Sequence, residues 1–297
     1  MFLVQKLEEI VRHSSDSKLF IADFLLKERK NIKNFSMQQI ANITFTSKPT
    51  LVRFAKALDF AGWTDFINAY IDESHHRDLL NQEIDPNFPF QEEDSIETII
   101  EHLKMLQINS ISETASGLES ANLEKIAEVI TESRYVTIFG MNPNSLLGEL
   151  FKRRMESIGK IVTVASLDNG GMLAEALTDK DCAIAISYSG NNPIREPMKY
   201  LSSLKKHKVP IIGITSNDDN YIRQMSDYVL TIVSHERLYS KISGFSTEES
   251  TNFILNVLFS TCFSKDYTKN YQYKLRNSKQ LEYRRQANLN DMIEPEK

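Results

Sequence analysis

Five short apolar runs in the second half of the chain constrain the fold more than any other feature. They lie at residues 135–139, 161–165, 183–187, 210–215 and 228–233, and helical patterns separate most of them. Alternation of strand-sized runs with helices is typical of a parallel sheet that helices cover on both faces. The pattern therefore predicts an α/β doubly wound domain of about 140 residues with a five-stranded parallel sheet.

The charge of the chain reverses before this region. Residues 27–58 contain seven Lys or Arg residues and a single acid, whereas residues 78–102 contain eight acids and neither Lys nor Arg. Pro86 and Pro89 lie in the acidic stretch and disfavour a continuous helix there. We therefore expect an all-α domain at 1–78, an acidic linker at 79–95, a connecting helix at 96–120, the α/β domain at 121–266 and a basic polar tail at 267–297.

The all-α domain contains signals for two short helices in close succession. Ser36 and Gln39 have the spacing of a capping box and predict a helix over 36–42. Ser47, followed by Pro49, predicts the start of a second helix over 48–59. Two helices joined by so short a connection form a helix-turn-helix.

The second of these helices carries side chains suited to reading duplex DNA. An α-helix fits the major groove, where Arg53 can contact guanine in bidentate fashion and Ser47 and Thr50 can contact bases or phosphates. Lysine side chains on the same helix can neutralise phosphates. The expected DNA-binding residues are Ser36, Ser47, Lys48, Thr50, Arg53 and Lys56. A helical bundle with a solvated basic face is the alternative.

The segment from Ser36 to Trp63 resembles the helix-turn-helix of the RpiR (MurR/RpiR) family of bacterial transcriptional regulators. The resemblance rests on the pattern S-x-x-T-x-x-R-F-x-K-x-L-x-F-x-G-W, which runs from Ser47 to Trp63. Asp59 stands where the family usually has Gly, and Asp can adopt the conformation that ends a helix. The resemblance implies a regulator that binds double-stranded operator DNA.

Two strand-to-helix junctions of the α/β region have the composition of anion-binding loops. The segment Gly140-Met141-Asn142-Pro143 follows the first apolar run, and Gly190-Asn191-Asn192-Pro193 follows the third. Each places Gly at a turn, Asn at a helix cap and Pro at the first helical residue. Such loops predict a phosphate or sugar site with neutral donors, because ligands bind at the carboxyl ends of parallel strands. Arg195 is the one basic residue near the second loop. A pair of tight turns without a ligand is the alternative.

The stretch Ser187-Tyr188-Ser189-Gly190 resembles the sugar isomerase (SIS) domain, the effector domain of RpiR-type regulators. The resemblance implies that the paired serines and a following residue hold the phosphate of a phosphosugar. Asn192 stands where such domains have Thr, and Asn144, beside Ser145, takes the place of Ser in the first loop. The effector-binding residues implied are Asn142, Asn144, Ser145, Ser187, Ser189 and Asn192.

Three functions are compatible with these features. The favoured one is a transcriptional regulator of sugar metabolism whose SIS domain senses a phosphosugar and has no catalytic residues, metal or cofactor. The second is a phosphosugar isomerase or lyase with a helical appendage, in which Glu248, Glu249 or His235 would move a proton. The third is an interaction module in which both loops have lost their ligand.

Composition bears on the cellular compartment of the chain and on the roles open to its cysteines. No apolar run approaches the ~20 residues of a membrane span, and the first residues lack the features of a signal peptide, so we expect a cytoplasmic protein without a membrane partner. Cys182 and Cys262 are too few for a disulfide framework or a cysteine-based zinc site. A helix-turn-helix that reads a two-fold DNA site requires at least a homodimer, and a homotetramer is equally compatible.

Overall fold

The chain forms two compact units. The computed structural model describes residues 17–80, 84–217 and 219–283, together with Leu3, Leu7, Ile10 and Val11. The first unit comprises Met1–Asp85 and Phe90–Met105, and the second comprises Pro86–Pro89 and Leu106–Lys297. Residues 284–297 of the predicted tail lie outside the described residues.

The first unit is helical, and local sequence signals define where its central helices begin. Between Ser17 and Leu80 its elements are α1 (Ser17–Lys27), a 3-10 helix (Arg29–Asn34), α2 (Met37–Ile43), α3 (Lys48–Ala57) and α4 (Trp63–Leu80). Ser36 and Gln39 form the predicted capping box, and Ser47 caps α3 with a proline in its first turn. The predicted helix-turn-helix is therefore confirmed, although α3 ends at Ala57 instead of residue 59.

An aromatic cluster forms much of the core of this unit. Phe66 is fully buried, and its ring centroid lies 5.7 Å from that of Phe54, 5.4 Å from that of Trp63 and 6.1 Å from that of Tyr70. The Tyr70 hydroxyl donates a hydrogen bond of 2.6 Å to the Leu25 carbonyl, so its polar end is satisfied inside the core. Because Trp63 is the single tryptophan of the chain, its fluorescence reports on the folding of this unit.

Two helices precede the sheet. They are α5 (Ile96–Ser116) and α6 (Ser120–Glu132), and the boundary between the two units falls within α5. The helix expected over 96–120 thus ends at Ser116, where Gly117 and Leu118 begin a short connection. None of the described helices is long and apolar enough to cross a lipid bilayer.

The second unit is built on a five-stranded, all-parallel sheet. The strands are β1 (Val136–Gly140), β2 (Val162–Val164), β3 (Cys182–Ile186), β4 (Ile211–Thr215) and β5 (Tyr228–Thr231), in the order β2-β1-β3-β4-β5. All five predicted strands are present, with ends that differ by one or two residues. This order is that of a flavodoxin-like doubly wound sheet. Successive strands are added on one side of β1 and then on the other, so the switch point lies between β1 and β3.

Helices cover both faces of the sheet. The elements between and after the strands are α7 (Asn144–Glu156), α8 (Gly170–Ala176), a 3-10 helix (Met198–Tyr200), α9 (Leu201–Lys206), α10 (Tyr221–Met225), α11 (Phe245–Lys265) and α12 (Tyr267–Leu281). Ile184 and Ile186 of β3 pack with α6, α7 and α11, whereas Ala183 and Ala185 pack with α8, α9 and α10. The alternation of side chains along the central strand therefore separates two apolar layers.

Both junctions that were expected to start a helix at a proline differ from the prediction. Pro143 occupies the cap position before α7, which begins at Asn144, one residue later than expected. After Pro193 no helix follows until the 3-10 turn at Met198. Pro197 explains this difference, because it disfavours helical geometry at the residue before it and cannot donate a backbone hydrogen bond.

Candidate functional site

The exposed side of α3 presents a row of polar side chains. Ser47, Lys48, Arg53 and Lys56 are exposed and Thr50 is half-buried, whereas the opposite side buries Leu51, Phe54 and Ala55. The Ser47 hydroxyl lies 2.9 Å from the Thr50 hydroxyl, which in turn accepts a hydrogen bond of 3.5 Å from Arg53 Nη2. The i, i+3 spacing thus aligns one guanidinium and two hydroxyls along one face of the helix.

Ser36 lies apart from this row, at the start of α2. Its backbone N–H and its hydroxyl both donate to Gln39 Oε1 at 2.8 Å, and its hydroxyl oxygen accepts from the Gln39 backbone N–H at 3.3 Å. The side chain is therefore committed to the capping box. Five of the six predicted DNA-binding residues lie within α3 or at its N-cap, and the sixth caps the preceding helix.

A Schellman-type turn ends α3. The Phe60 backbone N–H donates to the Ala55 carbonyl at 3.1 Å, and Asp59 adopts the left-handed conformation with φ of 71°. Asp tolerates this conformation better than most residues, as the sequence led us to expect. The substitution of Asp for Gly at this position therefore leaves the end of the helix intact.

A pocket of about 320 Å³ opens at the carboxyl ends of β1 and β3. The strand register aligns Gly140 with Ile186, so the loops that follow these two strands lie side by side. The start of α11 and the segment before it form the remaining wall. The lining residues are Met141, Asn142, Pro143, Asn144, Ile186, Ser187, Tyr188, Ser189, Glu196, Pro197, Leu238, Lys241, Gly244, Thr247 and Glu248.

The structure brings together four of the six predicted effector-binding residues in this pocket, namely Asn142, Asn144, Ser187 and Ser189. Ser145 lines a neighbouring cavity of about 530 Å³, which shares Met141 and Asn142 with the pocket. Asn192 is exposed and lines neither cavity, and its Oδ1 accepts a hydrogen bond from the Ile194 backbone N–H at 3.2 Å. The structure thus places Asn192 outside the pocket, because the chain turns away after Gly190 instead of entering a helix.

The loop Ser187–Gly190 is fixed by the chain that follows β4. Gly190 has φ of 57°, and a Cβ at this position would lie 2.7 Å from both Thr215 Oγ1 and Asn220 Oδ1. The backbone N–H of Ser216 donates to the Tyr188 carbonyl at 3.1 Å, and that of Ile222 donates to the Gly190 carbonyl at 3.1 Å. Glycine is therefore required here, both for its backbone conformation and for lack of space.

Ser189 carries a hydroxyl that is free to meet a ligand. Within the part of the chain that the structure describes, its Oγ has no hydrogen-bond partner, although the residue is half-buried in the pocket wall. The Ser187 hydroxyl, in contrast, accepts a hydrogen bond of 3.3 Å from the Gly190 backbone N–H and so helps to shape the loop. The two serines of the motif therefore differ in their local roles.

The structure adds a basic residue that sequence reasoning missed. Lys241 lines the pocket, whereas Arg195, the one basic residue expected nearby, is exposed and outside it. Lys241 Nζ lies 2.9 Å from Glu236 Oε2. No local signal points to Lys241, because it is separated from the Ser187–Gly190 loop by β4, β5 and the helices that precede each of these strands.

Glu236 anchors this wall of the pocket. Its side chain is fully buried and accepts hydrogen bonds from the Thr247 hydroxyl at 2.8 Å, from the Ser246 backbone N–H at 2.5 Å and from Lys241. The carboxylate thus sits at the N-terminus of α11, where the helix dipole and free N–H groups stabilise negative charge. It fixes the position of Lys241 and of the first turn of α11.

Two of the three residues considered for proton transfer lie away from the pocket wall. His235 is exposed and contacts Glu113 at 3.1 Å, and Glu249 is not among the lining residues. Glu248 does line the pocket. Burial raises the pKa of its carboxyl above the ordinary value, the charges of Glu236 and Glu249 raise it further, and Lys241 opposes them. Among the described residues, no cluster of three His, Cys, Asp or Glu side chains could hold a metal ion.

Family models match both units. The helix-turn-helix domain of the rpiR family matches residues 1–75, and the SIS domain matches residues 129–258. The chain therefore carries an rpiR-type helix-turn-helix domain followed by a SIS domain. The predicted pair of domains is therefore confirmed, in the predicted order.

Solved structures share this fold at low sequence identity. The NanR protein of Vibrio vulnificus, complexed with ManNAc-6P, is 17% identical, with a TM-score of 0.56 over 94% of this chain and 98% of NanR. The sugar isomerase domain of an RpiR transcription factor from Sphaerobacter thermophilus is 16% identical, with a TM-score of 0.53 over 60% of this chain and 96% of that domain. A protein of Escherichia coli CFT073 is 17% identical, with a TM-score of 0.50 over 61% of this chain and 97% of that protein.

Proposed function

We propose that this chain is an RpiR-type transcriptional regulator that reads operator DNA through α3 and changes its DNA affinity when a phosphosugar occupies the pocket. The observation that carries the proposal is the presence, in one chain, of an exposed polar and basic face on α3 and a pocket at the carboxyl ends of β1 and β3. A DNA-reading unit attached to a ligand pocket is suited to sensing. The coupling must be reciprocal: if the phosphosugar changes the affinity for DNA by some factor, DNA must change the affinity for the phosphosugar by the same factor.

On the DNA side, each side chain has a distinct proposed role. Arg53 would discriminate a base pair through its guanidinium, and Thr50 and Ser47 would contact bases or phosphates near the start of α3. Lys48 and Lys56 would neutralise phosphates. Ser36 would present the N-terminus of α2, where backbone N–H groups suit a phosphate. A two-fold operator requires a homodimer or homotetramer, which in a cell would act where the DNA is, in the cytoplasm.

On the effector side, the Ser187–Gly190 loop would hold the phosphate. Ser189 would donate its free hydroxyl, and Ser187 and the loop backbone would supply further donors. Asn142, Asn144 and Lys241 would meet the remaining polar groups of the sugar. Ser145 would act on the far side of the first loop, and Asn192 would contribute only if the loop moved on binding. The ManNAc-6P bound to NanR is the reason to include N-acetylated sugar phosphates among candidate effectors.

Fluorescence anisotropy of the full-length protein on DNA tests the proposal. Labelled duplexes from upstream of its own and neighbouring coding regions would be titrated at two salt concentrations, with and without hexose, pentose and N-acetylated amino-sugar phosphates. We expect salt-sensitive, sequence-preferring binding that one phosphosugar changes at least fivefold, which is about 1 kcal/mol of coupling. Binding that no sugar phosphate alters would contradict the sensor role.

Ser189→Ala separates the two sites in the same assay. Loss of one hydrogen bond to a charged phosphate costs about 1.5–3 kcal/mol, so we expect the effector response to need at least tenfold more sugar phosphate. DNA binding without effector should stay at the wild-type level. Thr261→Ala, which changes a half-buried residue of α11 that does not line the pocket, is a control expected to leave both properties unchanged.

One observation favours a second function, an aldose–ketose isomerase. Glu248 lies in the pocket wall with its pKa raised, which is the property of a carboxylate able to move a proton. NMR of sugar phosphates incubated with the protein would show turnover in that case. Unchanged spectra together with an effector response in the DNA assay would leave the regulator as the function.

A further inference from the structure

Phe45, in the turn between α2 and α3, is the most exposed large apolar side chain of the described residues, at 94% of its surface. Its backbone adopts φ of 53°, in the left-handed region. This conformation is unfavourable for a residue with a bulky side chain. The turn therefore combines two unfavourable features at one position, an exposed aromatic ring and a strained backbone.

Hydrogen bonds of the neighbouring residues hold this turn, while the ring itself is almost fully exposed. The Thr46 backbone N–H donates to the Ala41 carbonyl at 2.8 Å, and the Thr44 hydroxyl bonds to the Ile40 carbonyl at 2.7 Å. The Thr44 and Thr46 hydroxyls lie 2.9 Å apart. These bonds fix the backbone on both sides of Phe45, so the strained conformation is held by its neighbours and the ring is held in solvent.

Asp59 provides a comparison within the same unit. It also has positive φ, 71°, but it follows α3, and its short polar side chain suits a left-handed residue. Phe45 precedes α3 by three residues, next to the Ser47 cap. The N-terminal part of a recognition helix is the part that meets base edges, so Phe45 is placed at the entrance to the groove that α3 would read.

We infer that Phe45 is a specificity-determining residue that makes an apolar contact with a thymine methyl group in the major groove. Phe is among the side chains that read this methyl group, which distinguishes thymine from the other bases at the groove edge. The basic character of residues 27–58, with seven Lys or Arg and one acid, favours DNA over a protein partner on this surface. The inference rests on the proposed DNA-binding function.

The test compares Phe45→Gly with wild type on DNA in which single thymines are replaced by deoxyuracil. The full-length protein would first select its site from random duplexes. We expect deoxyuracil at one position to weaken wild-type binding about three- to tenfold and to leave Phe45→Gly binding unchanged. On unmodified DNA, Phe45→Gly should bind about three- to tenfold more weakly, and Phe45→Leu, which keeps an apolar side chain, should recover part of the loss.

Trp63 fluorescence keeps the test independent of folding. Glycine relieves the left-handed strain, so the unfolding temperature reported by Trp63 should not fall in Phe45→Gly and should rise by a few degrees. Asp59→Gly is the matched control, and it should preserve the discrimination between thymine and deoxyuracil.

The outcomes are distinguishable. Equal discrimination of thymine and deoxyuracil by wild type and Phe45→Gly would overturn the role of Phe45 and leave the proposed function standing. A lower unfolding temperature in Phe45→Gly would assign Phe45 to folding and also overturn the inference. Failure of the wild type to select any DNA site would refute the proposed function itself, and an apolar surface for a protein partner would replace the groove contact.

Discussion

The DNA-reading surface and the effector pocket are built in opposite ways. The polar row on α3 comes from ten consecutive residues, is largely exposed, and is aligned by contacts three residues apart. The pocket combines four separate stretches of chain at the end of a sheet and rests on a buried carboxylate, Glu236. Polar side chains of α3 can therefore be removed with little effect on folding. Several residues of the pocket, in contrast, also stabilise the sheet domain.

Replacement of Glu236 should be the most damaging change, because it would disrupt the pocket by destabilising the fold of the sheet domain. In Glu236→Ala, Lys241 and the start of α11 lose their buried partner, and we expect the sheet domain to lose about 3–5 kcal/mol of unfolding free energy. Circular dichroism during urea denaturation would measure the loss, and Trp63 fluorescence would report the helical unit separately. Glu113→Ala, which removes an exposed acid, is the control. Wild-type stability of Glu236→Ala would show that the carboxylate is dispensable.

Gly190→Ala should come next and should affect the same unit. The added Cβ would meet Thr215 and Asn220 at 2.7 Å in a left-handed residue, so we expect a loss of about 2–3 kcal/mol and a weaker effector response. Gly62→Ala in the helical unit is the matched control, since nothing lies within 4 Å of its added Cβ. An unchanged unfolding midpoint in Gly190→Ala would mean that the loop shifts to accommodate the added Cβ. The pocket would then be less rigid than its hydrogen bonds indicate.

Arg53→Ala should impair the DNA-reading surface without changing the stability of either unit. The variant should lose about 1–3 kcal/mol of discrimination at one base pair, because a bidentate contact disappears, while the Trp63 unfolding curve stays at the wild-type position. Lys56→Ala should weaken binding to all sequences alike. It should also reduce the slope of log affinity against log salt concentration by about 1, the amount expected for the loss of one phosphate contact. Competition binding with single-base variants of the selected site measures both effects. Wild-type discrimination in Arg53→Ala would remove this residue from base recognition.

Glu248→Gln should have the smallest effect, and that effect should depend on pH. Burial and the neighbouring carboxylates raise the folded-state pKa of Glu248, so stability is lost as the pH rises from the unfolded-state pKa through the higher folded-state pKa. The amide should therefore stabilise the sheet domain at pH 7 by less than about 1 kcal/mol, since the group is only partly buried, and the gain should shrink as the pH falls. Urea midpoints from pH 4 to pH 8 measure it, and a gain that grows on acidification would contradict the assignment.

The same difference between the two regions decides how much the sequence could reveal. Capping residues such as Ser36 and Ser47 act on their own helix, so the helix-turn-helix was predictable almost to the residue. The five strands were predictable because buried parallel strands are continuous apolar runs.

Long-range packing was not readable in this way. Lys241, which pairs with Glu236, lines the pocket because α11 packs against α6 and α7 beside the end of the sheet, and nothing near these two residues in the sequence signals this. The resemblance to SIS domains placed Ser187 and Ser189 at the end of β3, where both line the pocket, but it also assigned Asn192, which lies outside the pocket because no helix follows Gly190 directly.

Reciprocal coupling between the two sites is the central claim, and calorimetry tests it directly. The phosphosugar that changes DNA binding would be titrated into the full-length protein, alone and saturated with its selected DNA site. The account predicts that DNA changes the dissociation constant of the phosphosugar by the same factor by which the phosphosugar changes that of DNA. Phosphosugar affinity that is identical with and without bound DNA would contradict the account.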